Sequence, residues 1–233
     1  MKKNQNIIID EIKSLVHNYF KAKENHEFIP GKTKISLMQP SYNYQEVNQV
    51  IDSLLSTRIT LNDRSSNKVN QFENSWAKYI GVKNGIMVNS GSSANLLALC
   101  ALSNPTIERH LKPGDEIITP AVTWNTTISP IFVIGAVPVL IDVNLNDCTI
   151  DVSKIEKEIT NKTKAIMPVH LLGNASNMKE ILKIAEKHNL YVIEDTCEAH
   201  GSEFENRKCG GLGDIGTFSF FFSHHITTIE GGM

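Results

Sequence analysis

Short apolar runs alternate with amphipathic stretches from Gly85 onward, and this alternation constrains the fold more than any other feature. The apolar runs are GIMV (85–88), EIITP (116–120), VPVLIDV (137–143), KAIMPV (164–169), LYVIED (190–195) and TFSFFF (217–222). The stretches between them predict helices over 92–102, 124–134, 151–159 and 178–188, the last two capped by Asp151 and Asn177. Continuous apolar strands separated by helices are typical of parallel sheets buried on both faces. The sequence therefore predicts an α/β fold with a mostly parallel sheet.

The region before Gly85 has a different texture. Apolar residues recur at helical spacing over 7–23, 44–55 and 67–80, which predicts three amphipathic helices. The polar stretch 24–34 contains Pro30 and Gly31 and indicates a linker. We therefore predict an N-terminal helix and linker over 1–34, followed by one large domain over 35–233.

Composition excludes several functional classes. A net charge of −2 lacks the basic excess of a nucleic-acid-binding protein. No apolar stretch approaches the ~18 residues of a membrane span, and the N-terminus does not resemble a secretory signal. We therefore expect a cytoplasmic protein with neither a nucleic-acid nor a membrane partner. The four cysteines form no CxxC pair, so we expect unlinked thiols and no metal site.

The motif NSGSSAN (89–95) lies between a predicted strand and a predicted helix. Glycine permits a tight turn, and free amides at a helix N-terminus attract anions. Gly91, Ser92 and Ser93 are therefore candidates for binding a phosphate group. The alternative is an ordinary helix cap, a position that serine and glycine also favour.

Two further motifs carry candidate side chains. Trp124 in PAVTWNTT offers a flat apolar surface for a planar ring, although a core aromatic is the alternative. In IEDTCEAHG (193–201) two carboxylates end an apolar strand, where each needs a cation or hydrogen-bond donors. Asp195 is the candidate for pairing with a cationic group of a ligand. The alternative is that its side chain caps the next turn. His170 and Asn174 could line the pocket or satisfy backbone groups at their turn.

The final segment SFFFSHHITTIEGGM (219–233) resembles the segment that presents the Schiff-base lysine in the DegT–StrS family of sugar aminotransferases. In that family an aromatic run, Ser and Lys precede Glu/Asp-Gly-Gly, and here His224 occupies the lysine position. The adjacent residue, His225, is interpreted as a surface or structural histidine, because neighbouring side chains usually point apart. The resemblance implies the aspartate-aminotransferase fold (fold type I), with pyridoxal or pyridoxamine 5′-phosphate (PLP or PMP) as cofactor.

The same resemblance implies a role for each candidate. Gly91, Ser92, Ser93 and the Ser219 hydroxyl would hold the cofactor phosphate, and Trp124 would stack on its ring. Asp195 would pair with the pyridine nitrogen. Glu198 stands where the aminotransferases have glutamine. Glutamate there and histidine at the lysine position are both typical of a small dehydratase branch, which acts on GDP- or CDP-linked 4-keto-6-deoxyhexoses.

We therefore predict PMP-dependent removal of the 3-hydroxyl from a nucleotide-linked 4-keto-6-deoxyhexose, with His224 as acid and base. This lyase reaction would serve deoxysugar synthesis for lipopolysaccharide O-antigen, and the fold implies a homodimer. In one sub-branch of the family, free glutamate regenerates the amine form of the cofactor. Another sub-branch uses an iron–sulfur electron donor. The alternatives are a PLP-dependent nucleotide-sugar aminotransferase and a truncated paralogue that is not catalytic.

The chain length also bears on the resemblance. Family members run to nearly four hundred residues or more, whereas this sequence stops at Met233 inside a family-like motif. We therefore expect a large domain truncated before the small C-terminal domain. The loop TRITLND (57–63) resembles the family's substrate-side loop and otherwise indicates a polar connection.

Overall fold

A computed structural model describes residues 2–23, 28–35, 42–56 and 68–233, so TRITLND lies outside the described residues. The chain divides into two compact units, 1–67 and 68–233. In the first unit, helix α1 (Lys2–Lys23) and helix α2 (Tyr44–Leu55) are linked by Lys13, whose Nζ lies 2.8 Å from Asp52 Oδ1. The predicted domain boundary after Lys34 stays a prediction.

The second unit contains the alternating elements. Its helices are α3 (Lys68–Ile80), α4 (Gly91–Leu102), α5 (Asn125–Val133), α6 (Val152–Ile155) and α7 (Met178–His188). Its strands are β1 (Glu116–Pro120), β2 (Val137–Ile141), β3 (Thr163–Ile166), β4 (Tyr191–Asp195), β5 (Glu203–Phe204), β6 (Arg207–Lys208) and β7 (Ile215–Thr217). Short 3-10 helices cover Glu156–Glu158 and Leu171–Gly173.

Five strands form one sheet in the order β2-β1-β3-β4-β7, and every neighbouring pair is parallel. Strands β5 and β6 form a separate antiparallel hairpin. Successive residues of a strand face opposite sides, and the core follows this alternation. Ile118, Ile166 and Val192 pack with α7 on one face, whereas Ile117, Ala165 and Ile193 pack with α4 and α5 on the other. The predicted parallel sheet is confirmed, and its strands β1, β3 and β4 are buried on both faces, whereas the edge strand β2 exposes Val137 and Leu140.

Most helix predictions are also confirmed. Helices α2 and α7 have the predicted bounds, and α3 (Lys68–Ile80) ends at the predicted residue and covers the described part of the predicted range. The Asp151 side chain accepts a hydrogen bond from Ser153 N, and that of Asn177 from Glu180 N, so both predicted N-caps are present. In the part of the chain that the structure describes, no helix has the length and apolar character needed to cross a membrane.

Two strand predictions are wrong. The run 85–88 forms only an isolated antiparallel bridge, between Val88 and Gly232. The run 217–222 leaves the sheet at once, because β7 pairs with β4 only as far as Asp195 and Thr217. Beyond that point the backbone bonds to the end of the chain instead, and Phe218 N donates to Met233 O at 2.8 Å. The apolar run 217–222 thus indicated burial correctly for residues 217–220 but not their pairing partner, whereas in 85–88 Ile86 is 64% exposed and no residue is buried.

Candidate active site

The predicted site residues follow the carboxyl ends of β1, β4 and β7 or lie at the start of α4. Parallel strands bring these ends to one edge of the sheet, where ligands of open α/β folds bind. Four of the residues predicted from sequence thus belong to elements that meet at this edge, namely Gly91, Trp124, Asp195 and Ser219.

The start of α4 fits an anion. Ser90 caps the helix, and its Oγ accepts a hydrogen bond from Ser93 N at 3.1 Å. Amides in the first turn of a helix have no partner within it, so those of Gly91 and Ser92 remain for a ligand. Ser92 is exposed, whereas Gly91 is buried against the segment after β7. A Cβ on Gly91 would lie 2.5 Å from Ser219 Cβ, so only glycine lets the Ser219 hydroxyl approach this turn.

Trp124 lies on the solvent side of the same edge. It is the N-cap residue of α5 and is 70% exposed. The core-aromatic alternative is therefore wrong. An exposed indole at a cluster of polar groups is a surface that a planar ring can cover.

Asp195 is buried at the end of β4 with 4% exposure, and its two carboxylate oxygens have different partners. Oδ2 accepts hydrogen bonds from Asn95 Nδ2 at 2.9 Å and Thr127 Oγ1 at 2.7 Å. Oδ1 accepts one longer bond, from Cys197 N at 3.2 Å. Asp195 therefore also makes the turn contact that the alternative reading proposed. Burial and then the Asp195 charge raise the pKa of the Cys197 thiol well above its ordinary value.

Glu194, one residue earlier, points to the opposite face and is fully buried. Its Oε1 accepts bonds from Leu212 N and Gly213 N, both at 2.7 Å. Its Oε2 accepts bonds from Gly210 N at 2.8 Å and His170 Nε2 at 3.0 Å. Burial pushes the pKa of Glu194 upward, but the His170 contact and the backbone amides outweigh burial and lower it.

His170 supports this structural carboxylate rather than lining the pocket. Its Nδ1 accepts a hydrogen bond from Ser176 N at 3.1 Å, so the proton lies on Nε2 and is donated to Glu194. Of the two readings of His170, the one that satisfies groups at the turn fits the structure. Asn174 likewise donates to Asp147 O at 3.1 Å.

Glu198 holds a strained loop. Its Oε2 accepts a hydrogen bond from Leu172 N at 2.9 Å. Leu172 has a φ of 54° and is 76% exposed, a conformation that is uncommon for a branched residue. The Glu198 carboxylate therefore fixes the loop after β3 beside the site.

The two histidines after Phe222 differ in burial. His224 is half-buried and donates its backbone N–H to Phe221 O at 3.0 Å, whereas His225 is exposed. Burial lowers the pKa of His224, and the charge of Glu198 opposes that effect. A lowered pKa leaves more of the imidazole neutral at pH 7, the form that accepts a proton.

Sequence reasoning missed a third histidine, His200. Its ring lies 5.9 Å from the His224 ring and stacks on Phe220 at 5.3 Å. Among the described residues, neither of its buried ring nitrogens makes a hydrogen bond of ordinary geometry. Burial, followed by His224 and His225, lowers the pKa of His200 to about 4, and a contact with the Ser219 backbone opposes this only weakly. His200 stood inside the motif 193–201, but nothing in the pattern distinguished it.

Three polar residues around Asp195 were also missed. Asn95 and Thr127 lie within motifs singled out from sequence, and Thr217 begins the final apolar run. All three are buried, and Thr217 Oγ1 donates to Asn95 Oδ1 at 2.6 Å. Their helical or strand positions gave no signal that they meet.

The described residues form neither a disulfide nor a group arranged to hold a metal ion. All four cysteines are free thiols, as predicted. Within the described ranges, no group of His, Cys, Asp and Glu side chains has the arrangement of a metal site.

Known proteins resemble this chain in sequence and in structure. Residues 41–233 match the DegT/DnrJ/EryC1/StrS aminotransferase family. Lipopolysaccharide biosynthesis protein RfbH of Salmonella typhimurium is 41% identical over 232 residues, which are 97% of this chain and 52% of RfbH. GDP-4-keto-6-deoxy-D-mannose 3-dehydratase of Escherichia coli O55:H7 is 42% identical over 189 residues, or 81% of this chain and 47% of the relative.

A solved structure shows the same likeness in three dimensions. E. coli GDP-4-keto-6-deoxy-D-mannose-3-dehydratase with bound hydrated PLP superposes with a TM-score of 0.78 at 40% identity. The match covers 85% of this chain and 50% of that structure. The chain spans about half the length of the curated relatives it matches.

Proposed function

The chain belongs to the DegT/DnrJ/EryC1/StrS aminotransferase family, and within it we propose a PMP-dependent 3-dehydratase of nucleotide-linked 4-keto-6-deoxyhexoses. The family resemblance and the fold type I architecture predicted from sequence are confirmed. Family membership alone does not separate amine transfer from dehydration. The proposal therefore depends on the residues of the site.

One observation carries the choice, namely a histidine at the position of the family's lysine. An imidazole cannot form the imine by which lysine anchors PLP and carries protons in transamination. It can accept and return protons near neutral pH. His224 is half-buried, and the charges of Glu198 and Asp195 both act on it. This is the setting of a proton carrier.

The donor set around His224 fits a pyridoxamine phosphate. An anion fits the free amides at the start of α4 and the Ser219 hydroxyl, which the bare Cα of Gly91 admits. The exposed face of Trp124 fits a planar ring. The Asp195 carboxylate supplies the negative charge that a protonated ring nitrogen requires. Gly91, Ser92, Ser93, Trp124, Asp195, Glu198 and Ser219 are thus the proposed cofactor residues.

When bound, the cofactor supplies an electron sink at its protonated ring. Asp195 keeps that ring nitrogen protonated. Neutral His224 accepts a proton on its imidazole and, once charged, can donate it to the departing 3-hydroxyl. Burial lowers the pKa of His224 and favours the neutral form that accepts a proton, whereas the charge of Glu198 opposes this and favours the charged form that donates it.

The proposed substrate class follows from the named relative. The E. coli relative is a dehydratase of GDP-4-keto-6-deoxy-D-mannose, and RfbH is a lipopolysaccharide biosynthesis protein. We extend this substrate class, a nucleotide-linked 4-keto-6-deoxyhexose, to this chain. GDP and CDP are the two nucleotide groups to be tested. A cytoplasmic homodimer in O-antigen synthesis, with neither a nucleic acid nor a membrane as partner, completes the proposal.

Product analysis tests the proposal. The purified protein is incubated with PMP and either GDP- or CDP-4-keto-6-deoxyhexose, and products are identified by mass spectrometry and NMR. We expect a 3-deoxy sugar, which His224→Asn abolishes. A 4-amino sugar would instead identify an aminotransferase, and no turnover with either substrate would identify a non-catalytic paralogue.

Borohydride trapping provides an independent control. With PLP and borohydride, the wild-type protein should give no cofactor–lysine adduct, whereas His224→Lys should give one at residue 224. A stoichiometric adduct on a wild-type active-site lysine would overturn the dehydratase proposal.

A further inference from the structure

We propose that Thr127 and Asn95 are positioning residues that occupy one oxygen of Asp195 and so assign the other to the cofactor's ring nitrogen. The inference rests on the proposed function and names the residues that orient its key carboxylate. It starts from the unequal hydrogen bonding of the two oxygens. Both short side-chain bonds reach Oδ2, at 2.7 and 2.9 Å, whereas Oδ1 accepts a longer bond of 3.2 Å from the backbone N–H of Cys197, whose thiol also contacts the carboxylate.

The direction of each hydrogen bond follows from donor counting. A threonine hydroxyl has one proton, and Thr127 gives its proton to Asp195. The 2.7 Å contact between Thr123 Oγ1 and Thr127 Oγ1 must therefore use the Thr123 proton. Thr123 thus holds the Thr127 hydroxyl in the orientation that points to Asp195.

Asn95 is oriented in the same way. Its Oδ1 accepts the Thr217 hydroxyl at 2.6 Å, and its Nδ2 faces two acceptors, Thr126 O at 3.2 Å and Asp195 Oδ2 at 2.9 Å. If the amide were reversed, its N–H₂ group would face the Thr217 hydroxyl, which donates. Its oxygen would face Thr126 O and Asp195 Oδ2, which both accept. The amide orientation is therefore fixed, and so is the donor that it presents to Asp195.

With Oδ2 occupied by two donors, the Asp195 carboxylate can pair with one further cation, which approaches Oδ1 from the ligand side. A ring nitrogen that approached Oδ2 would compete with two short, charge-assisted bonds, whereas Oδ1 keeps its acceptor capacity. Bonds formed before the ligand arrives reduce the ordering cost at binding. Removal of one donor should therefore weaken the recognition of the ring nitrogen specifically.

Binding of two probes tests this inference without any turnover. The probes are PMP and its 1-deaza analogue, in which CH replaces the ring nitrogen. Their dissociation constants are measured by calorimetry for the wild type, Thr127→Val, Thr127→Ser and Thr119→Val. Thr119 is the matched control, because it is also fully buried but donates to Met167 O at 2.9 Å, away from Asp195.

We expect Thr127→Val to weaken PMP binding about tenfold, the loss of roughly one charge-assisted bond, and to leave binding of the analogue unchanged. Thr127→Ser should restore the preference, and Thr119→Val should keep it. If Thr127→Val does not fold, Thr123→Val replaces it in the experiment. Thr123 is half-buried, and this substitution removes only the hydroxyl that orients Thr127.

The outcomes separate the two proposals. A wild type with no preference for PMP over its analogue lacks the pairing between Asp195 and the ring nitrogen, which overturns both the inference and the proposed cofactor site. A wild-type preference that Thr127→Val and Thr123→Val leave intact overturns only the inference. Equal weakening of both probes would show a packing role and would also overturn it.

Discussion

Glu194 and Asp195 are adjacent carboxylates at the end of β4, yet their surroundings differ completely. Glu194 faces the α7 side, where three backbone amides and His170 satisfy both of its oxygens. Asp195 faces the α4 and α5 side, where two side chains donate to Oδ2 and the backbone of Cys197 donates a longer bond to Oδ1. Loss of one partner from a fully paired buried charge destabilises a fold, whereas a buried charge that is only partly paired keeps acceptor capacity for a ligand.

The comparison also explains the loop arrangement. Glu194 ties the segment 210–213 to the sheet, which determines where β7 begins. Asp195 instead joins α4, α5 and, through Asn95, the end of β7. One face of the strand end thus builds the scaffold, and the other builds the proposed site.

Glu194→Gln should have the largest effect. The amide cannot accept all four hydrogen bonds, and its N–H₂ would face backbone donors. We expect the free energy of unfolding to fall by about 4 kcal/mol, the usual loss for a broken buried charge network, as measured by urea denaturation. Glu203→Gln, which loses only the half-exposed contact with Lys208, is the control and should lose less than about 1 kcal/mol. A loss below about 1 kcal/mol for Glu194→Gln would contradict its scaffold role.

Asp195→Asn should affect binding more than stability. The amide oxygen can still accept from Asn95 and Thr127, so its N–H₂ turns to the open side and opposes a protonated ring nitrogen. We expect PMP affinity to fall about a hundredfold, or roughly 3 kcal/mol, while the free energy of unfolding changes by about 1 kcal/mol. Calorimetry and urea denaturation measure the two effects. Unchanged PMP affinity would show that Asp195 acts only at its turn.

His200 offers a third case, a histidine whose buried ring nitrogens make no hydrogen bond of ordinary geometry to any of the described residues. Its pKa is about 4 in the folded protein, against roughly 6.5 unfolded. The unfolded chain therefore binds the extra proton first, and this part of the stability is lost as pH falls from about 6.5 toward 4. His200→Phe keeps the stacking on Phe220 and should remove about 2 kcal/mol of that loss, measured by denaturation at pH 7 and pH 4.5. Identical pH profiles for the two proteins would contradict the assignment.

Glu198→Gln should have the smallest effect. Removal of this charge takes away the main influence that raises the pKa of His224, so that pKa should fall further. NMR titration of the His224 ring measures the change, and the exposed His225 ring is the internal control. An unchanged or raised pKa of His224 would mean that the two side chains do not interact.

Much of this arrangement follows from local sequence. The alternation of apolar runs and helices predicted the parallel sheet, because burial on both faces requires continuous apolar strands. Asp195 and Gly91 became candidates because a carboxylate at the end of an apolar strand needs a cation or donors, and because free amides at a helix start attract anions. The strand predicted over 85–88 was wrong, because four apolar letters determine neither burial nor pairing: Ile86 is 64% exposed, and the run makes only the bridge between Val88 and Gly232.

The division of labour between Glu194 and Asp195 was decided only by tertiary structure. Alternation along β4 predicts that they face opposite sides, but not which side holds enough donors. Those donors are distant in sequence, since Asn95 lies 100 residues before Asp195, and Thr217 lies 122 residues after Asn95. The sequence by itself determined the layers and the candidate residues, because periodicity and backbone geometry are local. The pairing of each buried charge depends on which loops the layers bring together, and only the folded chain decides that.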